Sequence, residues 1–571
     1  MRIGFFRFWL GSVVVLFGSL SVAQVPALPG LDAREQQLQQ ERERALRDQQ
    51  APKADVRLTP SAADPGRRLP QDESPCFPIA RIELSGPQAD KFLWAIDAAD
   101  PPEDLARGRC LGAQGINLVM ARIQNAIVER GYITTRILAG NQDLKSGALK
   151  LTLVPGLVHA IRFAPGSEGQ VHAANALPVG EGDLLNLRDI EQGLENFKRV
   201  PTIEADIQIV PAEGGAAVAG ESDVVISWRQ SRRWRLNLSA DDGGSRSTGK
   251  YQSTATVSLD NPLALSDLFY VSYNRALAPL NSDGRSTDGY TLYYSVPIGY
   301  WSISASTSSS SYFQTVAGLN QPYRYSGESD NAELRLTRML WRDATSKTSA
   351  SVRGWQRTSS NFIDDTEVLV QQRNAAGWGA DINHRHFFGA STFDVTIDYR
   401  KGTGAFNAME APEQAFGEGT SRMRLWSMNA QLDFPFSVKG QAFRYATSWR
   451  QQWNETPLSP QDRLSIGNRY TVRGFDGELT LMGERGFVWR NELASGWQAL
   501  ATEAYAALDY GKTAGFPTAD QAGRDLAGGG IGLRGAGLGT GYEFFIGVPI
   551  HKPKGFETAD FTATFNLNWS Y

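Results

Sequence analysis

The chain ends with FTATFNLNWSY, residues 561–571, in which apolar and polar residues alternate without a break. The apolar set comprises Phe561, Ala563, Phe565, Leu567, Trp569 and Tyr571, and the polar set comprises Thr562, Thr564, Asn566, Asn568 and Ser570. Because successive side chains of a β-strand point to opposite faces, this pattern predicts a strand with one apolar and one polar face.

The same alternation recurs from residue 231 onward, in runs of about ten residues separated by Gly, Asp, Ser and Asn clusters. In YQSTATVSLD the apolar Val257 alternates with the polar Thr256, and in AFRYATSWR the aromatic Trp449 alternates with Arg450. A soluble sandwich would also alternate, because it buries one apolar face in a shared core. The runs therefore predict a domain of antiparallel β-structure, either membrane-bound or soluble.

Three features favour a transmembrane β-barrel over a soluble β-domain. The strands are many, their polar faces carry charges, and the last residue, Tyr571, is aromatic. Membrane strands need about 9–11 residues, and they turn an apolar face to lipid and a polar face to the lumen. We count about sixteen strands over residues 231–571, and bacterial barrels have an even number.

The amino-terminal segment has the features of a secretory signal peptide, predicted over residues 1–23. Arg2 and Arg7 precede an apolar run from Trp9 to Leu20, and small residues precede a predicted cleavage near Gln24. The run is shorter than the roughly 20 residues that span a bilayer. The mature protein is therefore predicted to be exported.

Residues 24–50 are predicted to contain a helix that is polar on nearly every face. In LDAREQQLQQERERALRDQQ, the large apolar residues are Leu31, Leu38 and Leu46. Such a helix cannot pack into an ordinary core, so it is either solvated or held in a polar cavity. Residues 51–75 are polar and contain five prolines, which predicts an extended linker.

Two small α+β modules are predicted next, over residues 76–156 and 157–230. The first shows the order strand, helices, strand, strand, and the second shows a similar order, after which the helical signal disappears. Cys76 and Cys110 are the two cysteines of the chain, and an isolated pair in an exported protein favours a disulfide over two free buried thiols. In the loop-entropy model this bond contributes roughly 3–4 kcal/mol.

A long loop lies between the strands predicted at 442–450 and 487–493, and it carries Arg473. A cation cannot rest against lipid, but it can lie in a polar lumen if it meets an acceptor. Alternation turns Asp509 inward, where it offers Arg473 a charge-assisted partner. Glu492 also faces inward as a rival partner and Arg490 as a competing cation, and a solvated external loop is the alternative.

The loop sequence Val472-Arg473-Gly474-Phe475 resembles the VRGF signature of the POTRA–barrel superfamily. The strand sequence ALDYG resembles that superfamily's second motif, which is an aromatic residue or glycine, any residue, Asp, any residue and Gly. Asp509 and Gly511 match the motif, whereas Ala507 departs from it. The two α+β modules are similar to POTRA domains.

The polar helix, the linker and the stretch SPCFPIARIEL resemble one branch in particular, the two-partner secretion transporters of the haemolysin-activator/CdiB type. That resemblance implies a disulfide between Cys76 and Cys110. It also implies an amino-terminal plug helix, two POTRA domains in the periplasm and a sixteen-stranded barrel in the outer membrane. The VRGF residues would then lie in the barrel lumen beside Asp509 and Gly511.

The resemblance further implies a function as an outer-membrane translocator. The POTRA domains would capture an unfolded, β-helix-forming exoprotein, and the barrel would export it after the plug helix has left the lumen. The cargo would be a haemolysin, an adhesin or a contact-dependent inhibition toxin. A barrel-assembly or insertion factor of the same superfamily is the alternative function.

Composition argues against nucleic-acid binding and against catalysis. The net charge of −4 comes without a basic stripe, so we expect outer-membrane lipid and an exoprotein as partners, and no nucleic acid. His384 and His386 share a strand face, but no third metal ligand is apparent in the sequence. With no set of nucleophile and base in the sequence, we expect no catalytic site, no metal and no cofactor.

Overall fold

The computed structural model describes residues 31–51, 54–58, 68–167, 171–212, 218–277, 284–318, 320–497, 501–537 and 539–571. The predicted signal peptide and residues 24–30 of the predicted plug segment lie outside these ranges. Helix α1 spans Leu31–Gln50, as the sequence predicts. Within the described ranges, no helix has both the length and the apolar character needed to cross a bilayer.

The first α+β module packs one long helix on a three-stranded sheet. Its elements are β1 (Phe77–Pro78), β2 (Arg81–Ser85), β3 (Cys110–Leu111), α2 (Ala113–Glu129), β4 (Arg136–Leu138) and β5 (Ala148–Val154). The sheet order is β2-β5-β4, and β1 pairs separately with β3. The face of α2 that carries Val119, Ile123 and Ile127 is buried against the sheet, as its helical spacing predicts.

The second module repeats this plan. Its elements are β6 (Leu157–Phe163), α3 (Ala173–Ala176), α4 (Leu187–Phe197), β7 (Ile203–Pro211) and β8 (Glu221–Gln230). The sheet order is β6-β8-β7, with β6 parallel to β8 and β7 antiparallel to it. Asn186 caps α4 by accepting a hydrogen bond from the Arg188 amide, and Ile190, Leu194 and Phe197 are buried beneath the helix.

The remaining strands belong to the barrel domain. They are β9 (Trp234–Asp241), β10 (Gln252–Asp260), β11 (Leu268–Ala276), β12 (Arg285–Ile298), β13 (Trp301–Ala317), β14 (Pro322–Arg342), β15 (Ser346–Ile363), β16 (Thr366–Glu367), β17 (Arg373–Phe388), β18 (Ser391–Thr403), β19 (Arg424–Val438), β20 (Gln441–Asn454), β21 (Leu464–Ile466), β22 (Leu481–Gly483), β23 (Arg485–Trp497), β24 (Thr502–Ala514), β25 (Asp525–Gly537), β26 (Thr540–His551) and β27 (Thr562–Ser570).

Sixteen of these strands form a closed antiparallel barrel, which confirms the predicted fold. The strand β16 is a two-residue extension beside β15, and β21 and β22 pair with each other. The barrel closes where β27 pairs with β9, from Asn566 opposite Asp241 to Ser570 opposite Asn237. The outward face of β27 carries the alternating apolar residues that predicted the strand, including the exposed Leu567 and Trp569.

Three strands are longer than the predicted ten residues. Strands β13, β14 and β15 contain 17, 21 and 18 residues. On the outward face of β13, Trp301 and Ile303 near one end give way to Ser309 and Ser311 toward the other end. Because lipid requires an apolar surface, the serine-bearing part of β13 projects beyond the membrane.

The second module is docked against the barrel turns at one end. The Tyr300 hydroxyl, in the turn between β12 and β13, donates a 2.5 Å hydrogen bond to Asp189 of α4. Asn196 of α4 donates a 2.8 Å bond to the Gly299 carbonyl, and Thr202 donates to Asp260 at the end of β10. We call this end of the barrel the module end.

Candidate functional site: a plugged polar lumen

The loop between β20 and β23 folds back into the barrel instead of extending into solvent. Its two short strands, β21 and β22, form a hairpin inside the wall. A small apolar cluster fixes the loop to wall residues Val488 and Leu526 and to Phe556 of another loop. Within that cluster the Phe475 ring meets the Phe556 ring edge-on, with 5.8 Å between their centroids.

Arg473 of this loop is bound in a fork by Asp509 on β24. The arginine donates from Nε to Oδ2 at 2.8 Å and from Nη2 to Oδ1 at 2.9 Å, and its backbone amide donates to Oδ2 at 3.0 Å. The Asp509 carboxylate is fully buried, so these bonds replace its water shell. The structure therefore brings the two charged residues of the predicted motifs into direct contact.

Glu492, which the sequence presents as a rival partner for Arg473, binds the same guanidinium from β23. Its Oε2 accepts a 3.0 Å bond from Nη1. Arg534 on β25 then donates to Glu492 and to Glu503, at 2.5 and 2.7 Å. Sequence analysis missed Arg534, although strand alternation would place it on the inner face; the register of β24 and β25 then sets it opposite Glu503.

Glycines in the wall form a seat for the loop backbone. A Cβ at Gly528 would lie 2.0 Å from the Arg473 carbonyl oxygen, and one at Gly547 would lie 2.9 Å from the Gly474 Cα. A Cβ at Gly511 would lie 2.8 Å from a methyl group of Val472. The loop therefore rests directly on three neighbouring strands. The motif predicted Gly511 alone, although the glycine-rich run AGGGIGLRGAG in β25 is a sign of close backbone approach.

Helix α1 occupies the lumen and is held against the loop at its amino-terminal half. Arg34 donates to the Glu478 carbonyl at 2.8 Å and to its carboxylate at 3.0 Å. Gln37 donates to the carbonyls of Pro460 and Arg463 at 3.0 and 3.2 Å. Of the two environments left open by the sequence, the structure shows the polar cavity.

The wall also contacts α1 through polar groups. Arg450 on β20 donates to Glu41 at 2.6 Å, Arg44 donates to Asn429 on β19 at 3.1 Å, and the Gln50 side chain accepts a bond from Arg235 at 3.3 Å. A cavity of about 670 Å³ remains beside the helix. It is lined by charged and amide side chains, so the lumen can hold water.

Other residues singled out in the sequence lie away from this lumen. Cys76 and Cys110 form a disulfide with a Cα–Cα distance of 5.2 Å, next to the pairing of β1 with β3. His384 and His386 lie on β17 with ring centroids 6.2 Å apart. Among the described residues, no group of three or more His, Cys, Asp and Glu side chains could hold a metal ion.

Known protein families match both the barrel and the two α+β modules. Residues 220–535 match the family described as haemolysin secretion/activation protein ShlB/FhaC/HecB. Residues 77–156 match the ShlB-type POTRA domain, and residues 157–211 match a second POTRA domain. The family match covers more than half of the chain.

Individual relatives are similar to this chain over most of its length. The chain is 38% identical to the outer membrane transporter CdiB-2 of Burkholderia pseudomallei (strain 1026b), over 93% of this chain and 92% of that protein. It is 25% identical to the hemolysin transporter protein HpmB of Proteus mirabilis, over 73% and 72%. The solved structure of CdiB from Acinetobacter baumannii superposes with a TM-score of 0.83 at 29% identity, over 95% and 98%. The chain thus belongs to the haemolysin secretion/activation family, with its barrel in the outer membrane and its POTRA domains in the periplasm.

Proposed function

We propose that this protein exports an unfolded exoprotein through its barrel by two-partner secretion. One observation carries the proposal: the pore of a closed barrel is filled by a helix whose anchors are hydrogen bonds and ion pairs, such as Arg34–Glu478 and Arg450–Glu41. Water can replace each such bond at a net cost of about 0.5–1.5 kcal/mol. A polar plug can therefore leave the lumen, whereas an apolar one would have to expose its surface to water.

The two POTRA domains, residues 76–156 and 157–230, would receive the cargo. Each sheet has outer strands that pair with a neighbouring strand on one side only. They are β2 and β4 in the first domain and β7 in the second, whereas β6 is also bonded at Val158 to residues 182 and 183. An extended polypeptide can add to such an edge through main-chain hydrogen bonds, which depend little on sequence. This suits an exoprotein that is still unfolded. Folding of the cargo outside the cell would supply the direction of transport.

The loop motif would hold the lumen side of the pore in one conformation. The residues concerned are Val472, Arg473, Gly474 and Phe475, with Asp509 and Gly511 on the wall beneath them. Arg473 of the loop binds Asp509 and Glu492 of the barrel wall. The same loop also contacts the plug through Glu478. The loop therefore connects the plug to the barrel wall.

Among the three cargo classes, we favour a contact-dependent inhibition toxin. The relative at 38% identity, and another from Dickeya dadantii (strain 3937) at 29%, are both named CdiB transporters. The hemolysin transporter HpmB is more distant, at 25% identity. The most direct check is the identity of the exoprotein encoded beside this chain.

A reversible tether tests whether the plug must leave. Glu41→Cys and Arg450→Cys place thiols where α1 meets β20. A reducible bifunctional methanethiosulfonate reagent would then join the helix to the wall. Export should stop in the cross-linked protein, resume after mild reduction, and stay unaffected by the reagent in either single variant. Normal export by fully cross-linked protein would refute plug exit.

A further inference from the structure

The linker between α1 and the first POTRA domain contains a short segment, residues 54–58, that is bound rather than free. We call it the strap. Burial alternates along it: Ala54, Val56 and Leu58 are half-buried, whereas Asp55 and Arg57 are exposed. A period of two is typical of an extended chain lying on a surface. Val56 and Leu58 pack against the core of the second POTRA domain.

Side chains of helix α4 in that domain form hydrogen bonds with the backbone of the strap. The amide of Val56 donates to Glu195 at 2.8 Å, and the amide of Leu58 donates to Glu191 at 2.6 Å. Arg188 donates to the Leu58 carbonyl at 3.4 Å. Residues four apart on a helix are about 6 Å apart along its axis. Residues two apart on an extended chain are about 6.6 Å apart. The two carboxylates therefore match the spacing of alternate amides on any extended segment.

The opposite side of the strap is bound by the barrel. Arg342, at the module end of β14, donates from Nη2 to the Val56 carbonyl at 2.6 Å, and it also donates to Glu191 and Glu195. Its side chain is 1% exposed, so it links three parts of the chain in a dry junction. Lys347 also binds Asp55 and Glu195. Burial raises the pKa of Glu195, but Arg342 and Lys347 lower it below its usual range.

The strap restricts the plug. Three residues, 51–53, separate the strap from the end of α1 at Gln50. Fully extended, the four Cα–Cα steps from Gln50 to Ala54 reach about 14 Å, whereas the 20 residues of α1 span about 30 Å. A helix held by so short a tether cannot withdraw its own length into the periplasm. Plug exit therefore requires the strap to leave its groove.

We propose that the groove formed by Arg188, Glu191, Glu195 and Arg342 is a binding site for an extended polypeptide, which the strap fills in the plugged protein and an exoprotein segment enters in its place. The groove binds main-chain amides and carbonyls of the strap, and the POTRA core packs against two apolar side chains that are two residues apart. The chemical class is therefore an unfolded segment with alternating apolar residues. This inference rests on the proposed export function, and it makes cargo arrival the event that releases the plug.

A peptide-binding experiment tests the groove without relying on export. The probe is a fluorescent peptide with the sequence of residues 51–60, APKADVRLTP, added to the full chain in detergent. The strap in cis competes at an effective concentration near the millimolar range. The double variant Val56→Ser/Leu58→Ser should therefore bind the peptide at least tenfold more tightly than the unaltered chain.

Changes in the groove should then abolish that gain. Adding Glu191→Gln, Glu195→Gln and Arg342→Gln to the strap variant should return peptide binding to the unaltered level. Adding Glu204→Gln, on an exposed position of β7, should leave the gain intact. Retention of barrel folding is checked by heat-modifiability on gels. Equal peptide binding with an intact and an altered groove, or equal binding of a scrambled peptide, would overturn the site.

Export and conductance separate the two roles of the groove. The strap variant should open more often in planar bilayers and still export the exoprotein encoded beside this chain. The Arg342→Gln variant should also open more often but lose most export, because the groove serves both occupants. Full export by Arg342→Gln would mean that the groove binds the strap but not the exoprotein, and it would refute binding of the cargo there. Unchanged opening in the strap variant would refute the tether.

Discussion

Replacing Arg473 with alanine should release the lumen loop while leaving the barrel assembled. The substitution removes two side-chain bonds to Asp509 and one to Glu492. The Asp509 carboxylate would remain fully buried, with Arg490 as the nearest remaining cation at 3.7 Å. Breaking one side of a buried ion pair costs about 3–5 kcal/mol.

That free energy determines the expected shift in loop docking. Since about 1.4 kcal/mol corresponds to a factor of ten, the ratio of docked to released loop should fall by about 100-fold or more. Asp509→Ala alone should have a comparable effect. The double variant Arg473→Ala/Asp509→Ala should lose less than the sum of the single variants, because neither charge is then left unpaired.

The measurement is protease cleavage within residues 470–480 of the folded protein, together with export. Arg444→Ala is the matched control, because Arg444 also faces the lumen and pairs with Asp433 and Glu503 but is 34% exposed. A partly exposed pair contributes about 0–1 kcal/mol, so this variant should resemble the unaltered protein. Loop cleavage and export that are the same in Arg473→Ala and Arg444→Ala would refute the reasoning, as would full additivity of the double variant.

Three further predictions concern the seat of the loop, the docking of the second POTRA domain and the disulfide. Gly528→Ala should destabilise the docked loop by about 1–3 kcal/mol, because the added Cβ would collide with the loop backbone. Gly537→Ala on the same strand is the control and should have no such effect, because a Cβ there has no neighbouring atom. Protease cleavage within the loop measures the difference. Burial raises the pKa of Asp189 to about 6, above its unfolded value of about 3.9, so the docked state binds the extra proton. Thermal stability should therefore fall as the pH rises from 4 to 6, and a melting series of Asp189→Asn should lack this slope if the assignment is right. Replacing Cys76 and Cys110 with alanine should destabilise the first POTRA domain by roughly 3–4 kcal/mol, seen as faster proteolysis of that domain with an unchanged barrel band; unaltered proteolysis would speak against it.

The alternation of side chains made the barrel predictable. Lipid on one side and water on the other impose a period of two on every wall strand, as in the run from Phe561 to Tyr571. The same parity turned both Asp509 and Glu492 toward the lumen as candidate partners of Arg473, but it could not choose between them. Strand lengths could not be predicted in the same way, because the pairing of β13 continues past the stretch in which apolar and polar residues alternate, through Ser309 and Ser311.

The strap lay outside the reach of sequence reasoning. A polar, proline-rich linker predicts an extended chain, and the strap is extended. Its binding depends on the spacing of Glu191 and Glu195 on α4 and on the position of Arg342 at the module end of β14. Those partners are 133 to 286 residues away in the chain, so no local pattern joins them.

Single-channel conductance tests the central claim most directly, namely that α1 plugs a wet pore. The comparison is between the full chain and a variant that lacks residues 31–50, each reconstituted in a planar bilayer after its barrel folding has been checked. We predict that removal of the helix produces large, long-lived open events, because a lumen lined by charged and amide side chains would then be filled with water. The same small conductance in both proteins would contradict the account.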